Sequence, residues 1–223
     1  MDNESQIYID KAREEILHPT FEVTKQYLAV HDVEMEDGLP KVERIDMNFE
    51  KNIVSVYFPI TKEKFFLEVH LKKEPEVEVS FVWTENAHKS YLTATSENLS
   101  FEELSAFIKF RPLEGWSKGE PRKIGKGNYT FSRISYKPIK SRAYGLEKQL
   151  DLLLDELEKD PEGVRKLAEK SNAIISVCRH QYISANAGQH FSNELIQRLA
   201  KLNLGIDIDT YLVGNPLKGD SFV

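Results

Sequence analysis

Apolar residues at Ile9, Ala12 and Ile16 fall at helical spacing and predict a helix over Ile7–Leu17, closed before Pro19. A two-residue alternation then takes over. Tyr27, Ala29, His31, Val33 and Met35 share one face of a predicted strand over Gln26–Met35, followed by the turn Glu36-Asp37-Gly38. Further strands are expected over Val42–Phe49 and Ile53–Phe58, with a turn at Lys51-Asn52 and a stop at Pro59. Lys64–Leu71 and Val77–Trp83 flank Lys73-Glu74-Pro75-Glu76, the signature of a hairpin connection. In Val77–Trp83 the odd positions are apolar and are expected to form the buried face. Strands so closely spaced predict an antiparallel meander.

The pattern changes near residue 88. Ser90–Thr95 reads as a strand. Ser100 and Glu103 form a capping-box pattern ahead of a helix with Phe101, Leu104, Phe107 and Ile108 on one stripe, ended by Arg111-Pro112. The glycine-rich residues 113–128 read as a loop, and Tyr129–Tyr136 as a strand. Leu146, Leu150, Leu153, Leu154 and Leu157 mark the strongest helix, Leu146–Leu157. A second helix runs over Pro161–Lys170, with proline in its first turn. A strand over Ala173–Ile183, a Ser192-capped helix to Leu202 and a strand over Ile206–Leu212 complete the order. The expected fold is α+β. An N-terminal antiparallel meander (1–89) precedes an α+β domain (90–214) with a mainly antiparallel sheet and helices on one face, then a tail (215–223).

With 223 residues, 40% apolar, the chain is long enough for one large or two small domains with a sizeable core. It has no apolar run of membrane-spanning length. The polar start Met1–Ser5 lacks the basic and apolar regions of a secretory signal. A single cysteine, Cys178, excludes an internal disulfide, so a cytoplasmic protein is expected.

The net charge of −6 argues against a chain built wholly for nucleic acid. It conceals a split. Residues 1–95 carry a balance of −8, residues 109–142 a balance of +8, and residues 143–223 a balance of −3. The basic stretch is expected either to pair with the acidic N-terminal part or to form a binding patch.

Three blocks carry a resemblance. The first is Ser100-Phe101-Glu102-Glu103-Leu104 with Arg111-Pro112 and Lys118-Gly119. The second is Tyr144-Gly145-Leu146-Glu147-Lys148-Gln149-Leu150. The third runs from Asn186-Ala187-Gly188-Gln189-His190-Phe191-Ser192 through Leu195-Ile196 and Leu199-Ala200 to Ile206-Asp207-Ile208-Asp209-Thr210-Tyr211. Over roughly residues 90–214 the chain resembles the uncharacterised bacterial family known as domain of unknown function 4279. The resemblance implies a small α+β domain without a known activity. The family is similar in size and lifestyle to bacterial immunity proteins that neutralise toxins, a likeness of type rather than of site.

The candidate chemistry is sparse. Cys178 and His180 are two apart on a predicted strand, with His190 on the following loop. Such a set offers zinc ligands or a nucleophile and base, but a fourth ligand and a third triad member are missing, which favours a structural role. Asp207 and Asp209 alternate with Ile206 and Ile208, and with Tyr211 should face away from the core. Paired carboxylates suit acid–base work or a divalent ion, while a half-exposed strand explains them more simply. If Ser176, Cys178, His180 and Tyr182 share that face, the sheet has a polar, aromatic surface. Gly125 and Gly127 do not make a dinucleotide site, because a strand rather than a helix follows. Trp116, Lys118, Arg122, Lys123 and Lys126 form either a structural loop or a contact for an acidic protein or a phosphate backbone.

The expected function is a non-catalytic protein-binding module, in its concrete form an immunity-type protein that occludes a toxin. Its partner-binding residues are Trp116, Lys118, Arg122, Lys123, Lys126, His180, Tyr182, Asp207, Asp209 and Tyr211. No cofactor, metal or membrane is implied. A nucleic-acid binder using residues 109–142 is the first alternative. An enzyme using Cys178, His180 or the Asp207/Asp209 pair is the second.

Overall fold

The computed structural model describes residues 3–48, 50, 52–73, 75–185 and 188–219. Its helices are α1 (Asn3–Leu17), α2 (Glu22–Leu28), α3 (Phe101–Ala106), α4 (Leu146–Leu157), α5 (Pro161–Lys170) and α6 (Asn193–Lys201). Its strands are β1 (Met35–Glu36), β2 (Leu39–Pro40), β3 (Arg44–Asn48), β4 (Ile53–Pro59), β5 (Phe65–Lys72) and β6 (Glu78–Ser96), then β7 (Glu114–Trp116), β8 (Ser132–Tyr136), β9 (Asn172–Tyr182) and β10 (Gly205–Val213). Phe49, Lys51, Glu74, Asn186 and Ala187, which fall in predicted strands, connections and family blocks, lie outside the described residues.

The chain is α+β. One eight-stranded sheet runs in the order β10-β9-β6-β5-β4-β3, with β8 also paired to β6 and β7 to β8. All pairings are antiparallel except β9 with β10, whose connection contains α6. Helices α1 and α2 bury Tyr8, Ala12, Ile16 and Tyr27 against Val54, Val56, Leu67 and Val82. The leucines of α4 join Leu104, Leu167, Leu195 and Leu199 against Leu92, Ala94, Ile175 and Val177. Both cores therefore use even-numbered residues of β6 beyond Ser80.

Two predicted strands, Val77–Trp83 and Ser90–Thr95, are parts of the single 19-residue β6. Its backbone is handed from one neighbour to the next. Residues up to Asn86 pair with β5, and from Ala87 onward with β9. The 89/90 divide drawn from sequence lies inside this strand.

The buried face expected for Val77–Trp83 is only half right. Leu71 pairs with Val79 and His70 with Phe81, leaving Ser80 as a bulge residue. One inserted residue reverses the inside–outside phase. Val77 and Val79 pack on the core, but beyond the bulge Val82 and Thr84 turn inward. Phe81 and Trp83 are left 45% and 49% exposed.

The strand predicted over Gln26–Met35 is also corrected. Its first part is helix α2, with Thr24 and Tyr27 buried one turn apart. The buried Glu15 carboxylate accepts the Thr20 and Phe21 amides and the Thr20 hydroxyl, which fixes the α1–α2 turn. A helix start secured by a residue outside the local pattern overrides alternation. His31 and Val33 are buried as expected, whereas Ala29 and Met35 are exposed. Asp37-Gly38 turns β1 into β2 with positive φ at both positions, the hairpin geometry favoured by Asp-Gly.

Other local signals hold. Both halves of the Ser100–Glu103 capping box form. Ser192 accepts the Leu195 amide, and Pro161 opens α5. Residues 113–128 contain β7 and the base of a hairpin arm rather than an irregular loop. A side chain at Gly115 would strike the Arg133 carbonyl, so glycine is required for β7 to approach β8.

Deleting Ser80 removes the bulge and re-phases one end of β6. The deletion is expected to abolish the near-UV circular dichroism of the folded protein. Ser80→Ala, which loses only a hydroxyl bond to the His70 carbonyl, costs about 1 kcal/mol in urea denaturation. A deletion variant with native-like spectra and stability contradicts this phase assignment.

Candidate functional site

With the cores on one side of β6, its odd-numbered residues from Phe81 onward mark the other side. Strand register assembles that face row by row. Lys89 pairs with Cys178 and Cys178 with Asp209; Tyr91 with Ser176 and Ser176 with Asp207; Ala87 with His180 and His180 with Tyr211. The face continues across β5, β4 and β3. Trp83, Glu68, Tyr57 and Arg44 form one row, and Phe81, His70, Ser55 and Asp46 the next. The helices pack on the opposite side. The segment around Ala143 crosses this one, burying Ala143 with Tyr57, Phe66 and Ala87.

The face shared by Ser176, Cys178 and His180 with Asp207, Asp209 and Tyr211 is thus present. The His180 ring stacks on Tyr211 at 5.5 Å, and Cys178 Sγ lies 3.8 Å from His180 Nε2. Asp207, Asp209 and Tyr211 are exposed, while His180 is buried. Burial, joined by the charges of Lys64 and Arg142, lowers the His180 pKa. Tyr182 does not belong to this surface. It is fully buried, stacked on Phe65 at 4.4 Å, and its hydroxyl donates to the Asn215 carbonyl. His190 is not with Cys178 and His180 either. It lines a cleft of about 250 Å³ with Glu85, His88 and the start of α4. Among the described residues no three His, Cys, Asp or Glu side chains are grouped to hold a metal.

A polar cluster that the sequence reading missed braces the N-terminal half of the face. Ser55 Oγ is 3.0 Å from His70 Nδ1, and His70 Nε2 is 3.2 Å from Glu68 Oε1. Burial pushes the Glu68 carboxyl up, but hydrogen bonds from His70, Tyr57 and Ser55 outweigh it and hold the pKa low. Burial and the Glu68 charge push the Tyr57 phenol up. Arg44 lies 4.0 Å over the Tyr57 ring and 4.3 Å from Tyr144, with Nε donating to the Ala143 carbonyl. The Ser–His–Glu order resembles a hydrolytic relay. Ser55 is only 6% exposed, and Phe81 stacks on His70 at 3.8 Å, so the cluster serves as a strut between strands. The signal in sequence was Ser55-x-Tyr57 and Glu68-x-His70, readable only once strand register is known.

The basic segment divides in two. Trp116 is used internally, stacked on Tyr129 at 4.2 Å with its indole N–H donating to the Phe131 carbonyl. Lys118 Nζ donates to the Glu97 carbonyl. Arg122, Lys123 and Lys126 are exposed on the arm. The arm is tied by Gly119 N to Tyr129 O and Arg122 N to Gly127 O. The ion pairs formed by residues 109–142 among the described residues are Lys109–Asp160 and Lys137–Glu114. Neither involves the acidic N-terminal part, so among the described residues ion pairs do not neutralise this stretch against it. The arm joins the face through Trp116, Arg133 and Thr95, beside Asn172 at the far end of β9 from His180.

Glu85 and His88 give the molecule opposing pH responses. Burial, helped by the Glu68 charge, raises Glu85 to about 7, and burial lowers His88 to about 4. Glu85 holds its proton more tightly when folded, so its contribution falls as pH rises from about 4.5 to 7. His88 binds its proton less tightly when folded, so its contribution is full above about 6.5 and is lost as pH falls toward 4. Glu85→Gln is therefore expected to stabilise the protein by about 2–3 kcal/mol at pH 8 relative to its effect at pH 4.5. Urea denaturation at both pH values checks this, and a pH-independent effect contradicts it.

No helix of the described residues is long and apolar enough to cross a membrane. Comparison with curated proteins and with solved structures gave no match. Comparison with protein families matched residues 86–213 to a domain of unknown function, DUF4279. The match begins at Asn86, where β6 passes from β5 to β9. With more than half of its length inside that match, including α3–α6 and the strands they cover, the chain belongs to the DUF4279 family.

Proposed function

We propose that the protein is a non-catalytic protein-binding module of the immunity type, which neutralises a toxin-like partner by occluding it. The observation that carries this reading is the sheet face opposite the helices. It exposes Trp83, Phe81 and Tyr211 among charges of both signs. Aromatic anchors within a charged surround suit a protein contact, and segregated charge steers encounter. Lys89 and Lys137 lie near one another on this face, while Asp207 and Asp209 lie toward its β10 edge. The assignment to a bacterial cytoplasm rests on the family likeness and on the free thiol of Cys178, which suits a reducing compartment.

A second reading has its own observation. The exposed Arg122, Lys123 and Lys126 on the arm suit a phosphate backbone. One experiment separates the two. The tagged chain is used for affinity capture from its own lysate, with and without nuclease. It is compared with Trp83→Ala/Tyr211→Ala on the open face and Arg165→Glu on α5. The expected result is one stoichiometric protein that survives nuclease, is kept by the α5 variant and is depleted about tenfold by the face variant. Equal capture by all three chains, or loss of the partner on nuclease treatment, contradicts the proposal. The latter moves the function to the arm.

A further inference from the structure

Strand β10 ends the sheet, and nothing among the described strands pairs with its outer edge. It keeps an unbroken register with β9 from Gly205–Ile174 to Val213–Tyr182. Long regular edges invite strand pairing, and proteins commonly blunt them with proline, lysine or a bulge. β10 has none of these. Its sequence Gly205-Ile206-Asp207-Ile208-Asp209-Thr210-Tyr211-Leu212-Val213 carries charge only as two aspartates. Neither aspartate forms an ion pair among the described residues. At the opposite edge, β3 is shorter and pairs Arg44 with Asp46 on its own strand.

The two sides of β10 restrict what can pair there. Asp207 and Asp209 point to the open face, beside Ser176 and Cys178. Ile206 and Ile208 are half-buried against the helical core. An added strand continues both sides. It needs basic residues opposite the aspartates and apolar residues between them. A second copy of β10 supplies no basic residue to meet the aspartates, and antiparallel self-pairing about residues 208 or 209 sets carboxylates against carboxylates.

We propose that β10 accepts an extended segment of the partner protein, alternating lysine or arginine with apolar residues, by strand addition to the sheet edge. This rests on the protein-binding reading above and supplies the partner's chemistry. Main-chain hydrogen bonds give the affinity, and Asp207 and Asp209 select the charge.

The test uses the full chain and three synthetic peptides matched to the nine residues of β10. One alternates lysine with valine, one replaces lysine by glutamate, and one is the lysine peptide N-methylated along a single edge. Hydrogen exchange is followed across the chain. The lysine peptide is expected to slow exchange in residues 205–213 about tenfold, while the glutamate and N-methylated peptides do not. Asp207→Lys/Asp209→Lys is expected to reverse the preference toward the glutamate peptide. Absence of protection at β10, equal protection by both charges, or protection that survives N-methylation overturns the proposal. Thr210→Pro, placed on the edge strand, is expected to lose the captured partner. If that variant does not fold, the N-methylated peptide decides. A partner retained by folded Thr210→Pro removes strand addition alone, whereas no capture by the unaltered chain removes the protein-binding reading itself.

Discussion

The fold depends on one continuous run of backbone hydrogen bonds, the strand Glu78–Ser96. Nineteen residues serve β5 first, then β9 and β8. Helices α1 and α2 pack on the earlier part of this strand and α4 on the later part, so both cores share it. The family match begins inside the strand, at the handover from β5 to β9. The N-terminal strands therefore extend the family's sheet by ladder pairing. The bulge at Ser80 adds a second constraint. It lets Val77 and Val79, then Val82 and Thr84, enter one core, and it sends Phe81 and Trp83 to the opposite face.

The polar content of that face carries an energetic cost, which its geometry offsets. A carboxylate withdrawn from water is tolerated where hydrogen bonds replace its solvation. Glu68 has such partners in His70, Tyr57 and Ser55, and keeps a lowered pKa despite burial. Glu85, one row away, does not escape the cost and binds its proton more tightly. The contrast follows from register: Glu68 sits opposite Tyr57 and beside Ser55 and His70, whereas Glu85 sits opposite Phe66. A braced, partly charged sheet face, opposite the helices among the described residues, is the physical basis for the binding role proposed above.

Local signals in the sequence were legible where neighbouring residues alone determine structure. The leucine stripe of α4, the Ser100 capping box, the Ser192 cap and the Asp37-Gly38 turn all appear as expected. Period-two patterning grouped Cys178 with His180, and Asp207 and Asp209 with Tyr211; that the two sets share one face depended on strand register, which the pairing of β9 with β10 supplies. Distant contacts were not legible. Even at five and six residues' separation, the bonds from Thr20 and Phe21 to Glu15 that fix the turn before α2 lie outside the local alternation that reads as strand. The phase of Val77–Trp83 depends on a bulge that exists only opposite β5. The interval between the two predicted halves of β6 resembled a break because its inward residues Thr84, Asn86 and His88 are polar, yet they are buried. Tyr182 follows the parity of His180 in sequence but ends β9 inside the N-terminal core. The Ser55–His70–Glu68 strut required the pairing of two strands before it was visible.

The most direct measurement is residue-resolved native-state hydrogen exchange along Glu78–Ser96 under increasing denaturant. If this strand is the shared element of one structure, its hydrogen-bonded amides on both sides of the Asn86–Ala87 handover merge into a single opening reaction at the global unfolding free energy. Two separate openings divided at residues 86–87, with the later half retaining protection after the earlier half has exchanged, would contradict the account.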